Sequence, residues 1–289
     1  MTAPAVDVHQ HLWPEAFVSA LSRRAAPPSL RAGRLLTGSG EYEVDLGAHE
    51  LAARIARLDR DATDVALVSL QPTLGIDTLP ADERAELVDA YHAGVAEVAA
   101  ASDGRLVALA YASADERFPG AIVSAESFAA GTSDDVLAVL EASGRFAFVH
   151  PGPGGPPPRA APAWWPEVVD YAGAMHAAYI AWLARVAASF PRLRVVFAIL
   201  AGGAPFHHER LRSRGVDLRP ADREGVFLET ASYGRRALEL CLATFGIGRI
   251  LHGSDTPVIE SAPTLHALSE FGNAVVDIVR RENPSLLLA

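Results

Sequence analysis

The stretch VDVHQHLWP, residues 6–14, carries the first of the signals that decide the fold. Val6 to Leu12 reads as a short β-rich run, and after Pro14 a helical pattern extends from Glu15 to Ala25. The same couple recurs outward along the chain. Further β runs lie at Asp64–Leu70, Leu106–Tyr111, Ala121–Ala125, Phe146–His150, Arg194–Leu200, Val226–Ala231 and Arg249–Gly253. Helical patterns fall between them at Ala48–Arg60, Asp82–Ala100, Asp134–Ala142, Tyr171–Phe190, His207–Arg214 and Arg235–Phe245, with a last one at Pro263–Arg281. In the first of these, Leu51, Ile55 and Leu58 share one helical face. Asp82 is placed to cap the second.

Strict alternation of strand and helix implies parallel strands. Eight such units in 289 residues predict an α/β fold, a (β/α)8 TIM barrel, which typically takes about 250 residues. An open doubly wound sheet is the alternative for the same alternation. No repeat or linker divides the chain, so residues 1–289 are read as a single domain. Ala26–Gly40 and the proline-rich Pro151–Pro162 are read as loops.

Composition limits the chemistry. Half of the residues are hydrophobic and 21% are charged, enough for a large core. The net charge is −10, and every one of the 25 basic residues is arginine. An acidic chain lacks the basic footprint of a nucleic-acid or anionic-membrane binder. The absence of lysine excludes a Walker A lysine, a Schiff base and a carbamylated lysine bridging two metals. Cys241 is the only cysteine, so no internal disulfide forms and a reduced, cytoplasmic setting is expected. The N-terminus shows no secretory pattern, and no apolar run is long enough for a membrane span. The expected partner is a small-molecule substrate, with self-association into a homo-oligomer left open.

Barrel active sites gather at the C-terminal ends of the strands. His9 and His11 end the first run, and residues two apart on a strand face the same side. Both imidazoles can therefore share one cation, for which zinc and related metals are suited. His150 ends the fifth run and Asp255 follows the eighth, in GSDTP. Together they make a mononuclear set of three imidazoles and one carboxylate. Trp13 and Gln71 are read as pocket or substrate contacts. Glu229, on the seventh run, is an inward acid near substrate or an outer salt-bridge partner. The Trp164–Trp165 pair is read as a cover for the barrel mouth or an oligomer contact.

These motifs resemble the amidohydrolase superfamily. The closer likeness is to the amidohydrolase-related branch that includes aminocarboxymuconate-semialdehyde decarboxylase and other aromatic-acid decarboxylases. The resemblance is carried by the HxH pair, His150–Pro151, Gly202–Phe206 (GGAPF), Gly253–Pro257 (GSDTP) and Glu282–Leu287 (ENPSLL), and it spans nearly the whole chain. It implies one divalent ion, zinc or else manganese, held by His9, His11, His150 and Asp255. It also reveals a departure. The family usually carries FAHxGG after the sixth strand, where the histidine activates the bound water or the substrate. This chain reads FAILAGG, with Ile199 in that place. His207 or His208 then reaches back to replace it, or the reaction needs no such base, or catalysis has been lost.

The expected activity is metal-dependent hydrolysis of an ester, lactone, thioester or amide in a small molecule, through a metal-activated water. Asp255 would shuttle the proton and His207 would assist. Decarboxylation of an aromatic or unsaturated carboxylic acid is the alternative. A non-catalytic ligand-binding protein is the third reading, suggested by Ile199.

Overall fold

A computed structural model describes residues 3–289. Eight parallel strands form its frame: Val6–His11, Val65–Ser69, Leu106–Ala108 continued by Ala110–Tyr111, Gly120–Ser124, Phe146–His150, Arg194–Phe197, Val226–Glu229 and Ile250–Leu251. Each pairs with the next in sequence. The third strand is broken at Leu109, whose N–H still reaches the Val68 carbonyl at 2.9 Å. The ring closes where the chain returns. The Val8 N–H donates to the His252 carbonyl at 2.9 Å, and Gln10 bridges Thr256 in parallel. The open-sheet alternative is thereby excluded.

Strands buried on both faces read as continuous apolar runs, because the barrel interior lies on one side and helices on the other. Phe146, Phe148 and Val149 show this within one strand, all essentially inaccessible. Outside the sixth strand, Phe197 meets the rings of Phe128, Tyr179 and Trp182 edge-on at 5.7–6.2 Å. Those contacts fix the helices at Ala125–Ala130 and Tyr171–Ala181 against the sheet. No helix among the described residues is long and apolar enough to cross a membrane.

Several local expectations are corrected. Ala26–Gly40 is not a plain loop: Ser29–Arg31, Arg34–Leu36 and Glu41–Glu43 form an antiparallel meander. Its first turn is Ala32–Gly33, both at positive φ (48° and 75°), the geometry that matches hairpin twist. The nearby prolines masked the short alternation of Leu30 and Leu35, which are both buried. The helix expected from Asp82 starts at Ala81 behind Pro80, leaving Asp82 in the first turn. There its charge still faces the positive helix end. The last helix is interrupted at Gly272, whose φ of 90° cannot continue a right-handed helix.

The segment after the sixth strand is the least ordinary. Ile199, Leu200, Ala201, Gly202 and Gly203 run at φ 44°, 49°, 53°, 64° and 88°. This is a turn of left-handed helix, costing roughly 1–2 kcal/mol for each non-glycine residue. It sits at the pocket, where such strain tends to be retained. Gly202 cannot carry a side chain: a Cβ there would lie 2.1 Å from the Ala172 carbonyl oxygen. Gly202→Ala is therefore expected to destabilise the fold by about 2–4 kcal/mol, combining the φ penalty with overpacking against backbone. Urea denaturation reads this directly, and an unchanged midpoint would contradict the packing described.

Candidate metal centre

At the C-terminal mouth of the barrel a pocket of about 750 Å³ opens, with His9, His11, His150 and Asp255 among its lining residues. His9 and His11 share a face of the first strand, as their spacing requires. His150 is the last residue of the fifth strand. Asp255 is delivered by the loop after the eighth, in a left-handed conformation (φ 62°) that aspartate tolerates better than most residues. Its N–H donates to the His9 carbonyl at 2.8 Å.

A buried carboxylate that sequence reasoning overlooked, Asp7, ties this junction together. It accepts from the His9 N–H (3.1 Å), the Ser254 N–H (3.1 Å) and the Gln10 side-chain amide (2.7 Å). The Gln10 oxygen in turn accepts from Arg54. The first strand and the Asp255 loop are thus clamped by one acid.

The four side chains converge. One ligand-type atom from each lies within 4.8 Å of the others. The three imidazoles sit with centroids 5.0 Å apart, nearly perpendicular to each other. His9 Nε2 and His11 Nε2 are 3.2 Å apart, and Asp255 Oδ1 lies 3.1 Å from His11 Nε2. The other nitrogen of every ring faces an acceptor. His9 Nδ1 meets Glu229 Oε2 at 2.9 Å, His11 Nδ1 meets the Ser69 carbonyl at 3.3 Å, and His150 Nδ1 meets the Pro151 carbonyl at 2.9 Å. Protons held at Nδ1 leave the Nε2 lone pairs aimed at one point, the usual arrangement of metal-ligating histidines.

The electrostatics agree at three of the four groups. Burial holds His11 below the ordinary imidazole range, against the opposing pull of Asp255. Burial and the two neighbouring imidazoles push His150 well below it. Burial would raise the Asp255 carboxyl, but His11 Nε2 at 3.1 Å and the surrounding imidazoles hold it low. Burial lowers His9 too, yet the charge and hydrogen bond of Glu229, with Asp255, lift it to about 9. Neutral His11 and His150 beside an ionised Asp255 are the forms a cation binds. Among the described residues Asp255 Oδ1 is buried without a hydrogen-bond partner. A divalent ion fits this donor set of three imidazoles and one carboxylate.

The remaining candidates separate. Trp13 and Gln71 line the pocket, joined by a 2.8 Å bond from the indole N–H to Gln71 Oε1. Glu229 faces inward but lies wholly behind His9, where it also accepts from the Ile199 and Ala231 N–H groups. Its place orients His9 and touches no pocket space. Gly253 makes room for it, since a Cβ there would fall 2.1 Å from Glu229 Oε1. His207 is not brought to the centre: its ring packs 4.3 Å from that of His176, away from the pocket lining. His208 lies under Phe245 and beside Arg212. Ile199 does line the pocket, so an aliphatic side chain occupies the wall there. Trp164 and Trp165 are absent from the lining, and Trp164 is exposed. His49, Tyr171 and Tyr233 line the pocket and gave no sequence signal.

Glu229→Gln should weaken metal affinity about 10- to 100-fold, since a neutral partner no longer raises the basicity of His9. Metal titration against a competing chelator measures it, and unchanged affinity would remove Glu229 from this role.

A family model described as Amidohydrolase matches residues 6–276. The chain belongs to the amidohydrolase family. No curated protein sequence matches it. Solved structures resemble this amidohydrolase closely in shape. The IDCase of Metarhizium anisopliae shares 20% identity at a TM-score of 0.82, covering 99% of this chain and 97% of its own. The 2,6-dihydroxybenzoate decarboxylase from Rhizobium shares 17% at 0.72, covering 99% and 98%. The 5-carboxyvanillate decarboxylase of Novosphingobium aromaticivorans, complexed with manganese and a nitrobenzoic acid, shares 14% at 0.73, covering 99% and 96%. At these identities the likeness establishes the barrel fold.

Proposed function

We propose that this amidohydrolase is a metal-dependent decarboxylase of a small aromatic or unsaturated carboxylic acid. The observation that carries the reading is the convergence of His9, His11, His150 and Asp255 at the base of a pocket whose other walls include Trp13, Leu35, Leu74, Tyr171 and Ile199. A flat apolar body with one anionic end fits such a site. Similar folds that carry the names 5-carboxyvanillate and 2,6-dihydroxybenzoate decarboxylase support the choice over hydrolysis.

A divalent ion held by the four side chains would supply the positive charge that anchors the substrate carboxylate. The protein supplies the rest. Trp13 and Ile199 would confine the ring and exclude water, and Glu229 would keep His9 in its binding tautomer. As the carbon–carbon bond breaks and carbon dioxide leaves, the electron pair remains on the ring carbon and takes up one proton. Asp255 is placed to deliver that proton, taken first from solvent at the pocket mouth. Ile199 offers no proton-carrying group, so neither decarboxylation nor hydrolysis can draw on a histidine at that position. Imidazole donors favour zinc, while the named relatives with manganese support that ion equally.

The test is a panel of hydroxy- and methoxy-substituted aromatic acids, offered to protein loaded with zinc or with manganese, with carbon dioxide release measured. Decarboxylation of any member supports the reading. Ester or amide cleavage without carbon dioxide would return the hydrolase reading. Metal and ligand binding without any turnover would leave a binding protein.

A further inference from the structure

His49 was not expected to matter, yet it is more than nine-tenths buried and lies in the pocket wall beside Trp13 and Gln71. Its ring stacks on the Trp13 indole, 5.0 Å between centroids and 8° from parallel. The Trp13 main-chain N–H donates to His49 Nδ1 at 3.1 Å. That bond settles the tautomer. A nitrogen that accepts carries no proton, so the proton of the neutral ring resides on Nε2. Burial, with Arg54 and His11 nearby, drives the imidazole down to about 3, so the ring stays neutral.

Trp13 fixes Gln71 in the same manner. An indole N–H can only donate, so the atom facing it at 2.8 Å is the Gln71 oxygen and the amide NH2 points the other way. Among the described residues neither His49 Nε2 nor Gln71 Nε2 has a hydrogen-bond partner, and neither atom is sealed from the pocket. The two N–H groups of one tryptophan therefore turn two neighbours into pure donors.

We propose that His49 and Gln71, oriented by Trp13, form a neutral donor wall that selects a substrate by an oxygen acceptor on its ring. This rests on the carboxylic-acid reading for the anchored end of the substrate and adds the chemistry of the other end. A methoxy, hydroxy or carbonyl oxygen satisfies the wall, whereas an amino group brings protons against protons. A second carboxylate is disfavoured. The lining carries Glu43, Asp45, Glu167 and Glu260, and Arg57 already holds Glu260 at 2.6 Å.

The experiment is calorimetric binding to the metal-loaded protein, with benzoic acids that carry methoxy or amino at the same ring carbon. Matched benzamides are included as carboxylate-free probes. For at least one ring position the methoxy acid is expected to bind about five- to tenfold more tightly than its amino twin, the scale of one hydrogen bond. His49→Phe, which keeps the stacked ring, and Gln71→Leu should each lower that ratio, and the double variant should bring it to one. Trp13→Phe loses the indole N–H but not the main-chain one, so it should release Gln71 alone and leave part of the preference. Metal content and melting temperature report whether each variant is intact. Equal affinity of the twins in the wild type, or a ratio unmoved in both His49→Phe and Gln71→Leu, overturns the donor wall. Discrimination among benzamides while no acid binds would overturn the decarboxylase reading and leave the wall standing.

Discussion

The His9→Ala/His11→Ala double variant is expected to purify with no stoichiometric divalent metal and with turnover below detection. Wild-type protein prepared without a chelator or a histidine tag should retain about one ion per chain, as four converging protein donors imply. Two of the four converging side chains would be gone, and they are the two that the first strand holds rigidly on one face. The remaining His150 and Asp255 come from separate strands and loops and would be left as an isolated pair. The variant should still fold. Its lost imidazoles leave space beside an open pocket, and the clamp made by Asp7 does not depend on either ring. Elemental analysis with a melting curve decides the matter. Metal retained at wild-type stoichiometry in a folded variant would show that the ion, if any, binds elsewhere, and the proposed function would fall with it.

Asp255→Asn is the second large effect. The amide conserves shape and can keep an oxygen toward the imidazoles, but it cannot carry the proton that the ring carbon must receive. Removal of a positioned acid or base costs about 10²- to 10⁴-fold in rate, roughly 3–5.5 kcal/mol in the barrier. Glu229 meets the cluster only from behind His9, and the sixth-strand position holds Ile199, so Asp255 is the acid of the cluster that lines the pocket. Measured with the metal site saturated, the loss should therefore appear in kcat, with substrate affinity largely kept. Turnover close to the wild-type value would exclude Asp255 as the proton carrier and point to Tyr171 or Tyr233, which also line the pocket.

The left-handed turn at Ile199–Gly203 bears on why the chain departs from the common histidine motif. The Ile199 N–H donates to Glu229 Oε2 at 3.2 Å, the same oxygen that faces His9 Nδ1. The segment thus contributes to the centre through its backbone, while its side chain contributes only apolar surface. An isoleucine in such a segment offers the site no proton carrier but leaves the support of His9 in place.

Much of this was legible from the amino-acid order alone. Strand and helix patterns differ in period, and a parallel strand buried on both faces announces itself as an apolar run, so the eight units and their alternation could be read directly. His9 and His11 could be paired because side-chain direction repeats every two residues. His150 and Asp255 could be nominated because they end strands. Other decisions belong to the tertiary structure. Glu229 reads equally well as a substrate contact or a surface acid until His9, 220 positions away in sequence, is seen against it. His49 sits in a short turn with no periodic signature, and only its contact with Trp13 gives it a tautomer and a direction. His207 lies near the motif in sequence but turns toward His176, because the left-handed turn before it redirects the chain. Local periodicity fixes which residues face a core, since that depends on neighbours along the chain. Which polar atoms meet one another depends on how separate loops close over the barrel mouth, and that is set by contacts between residues far apart in sequence.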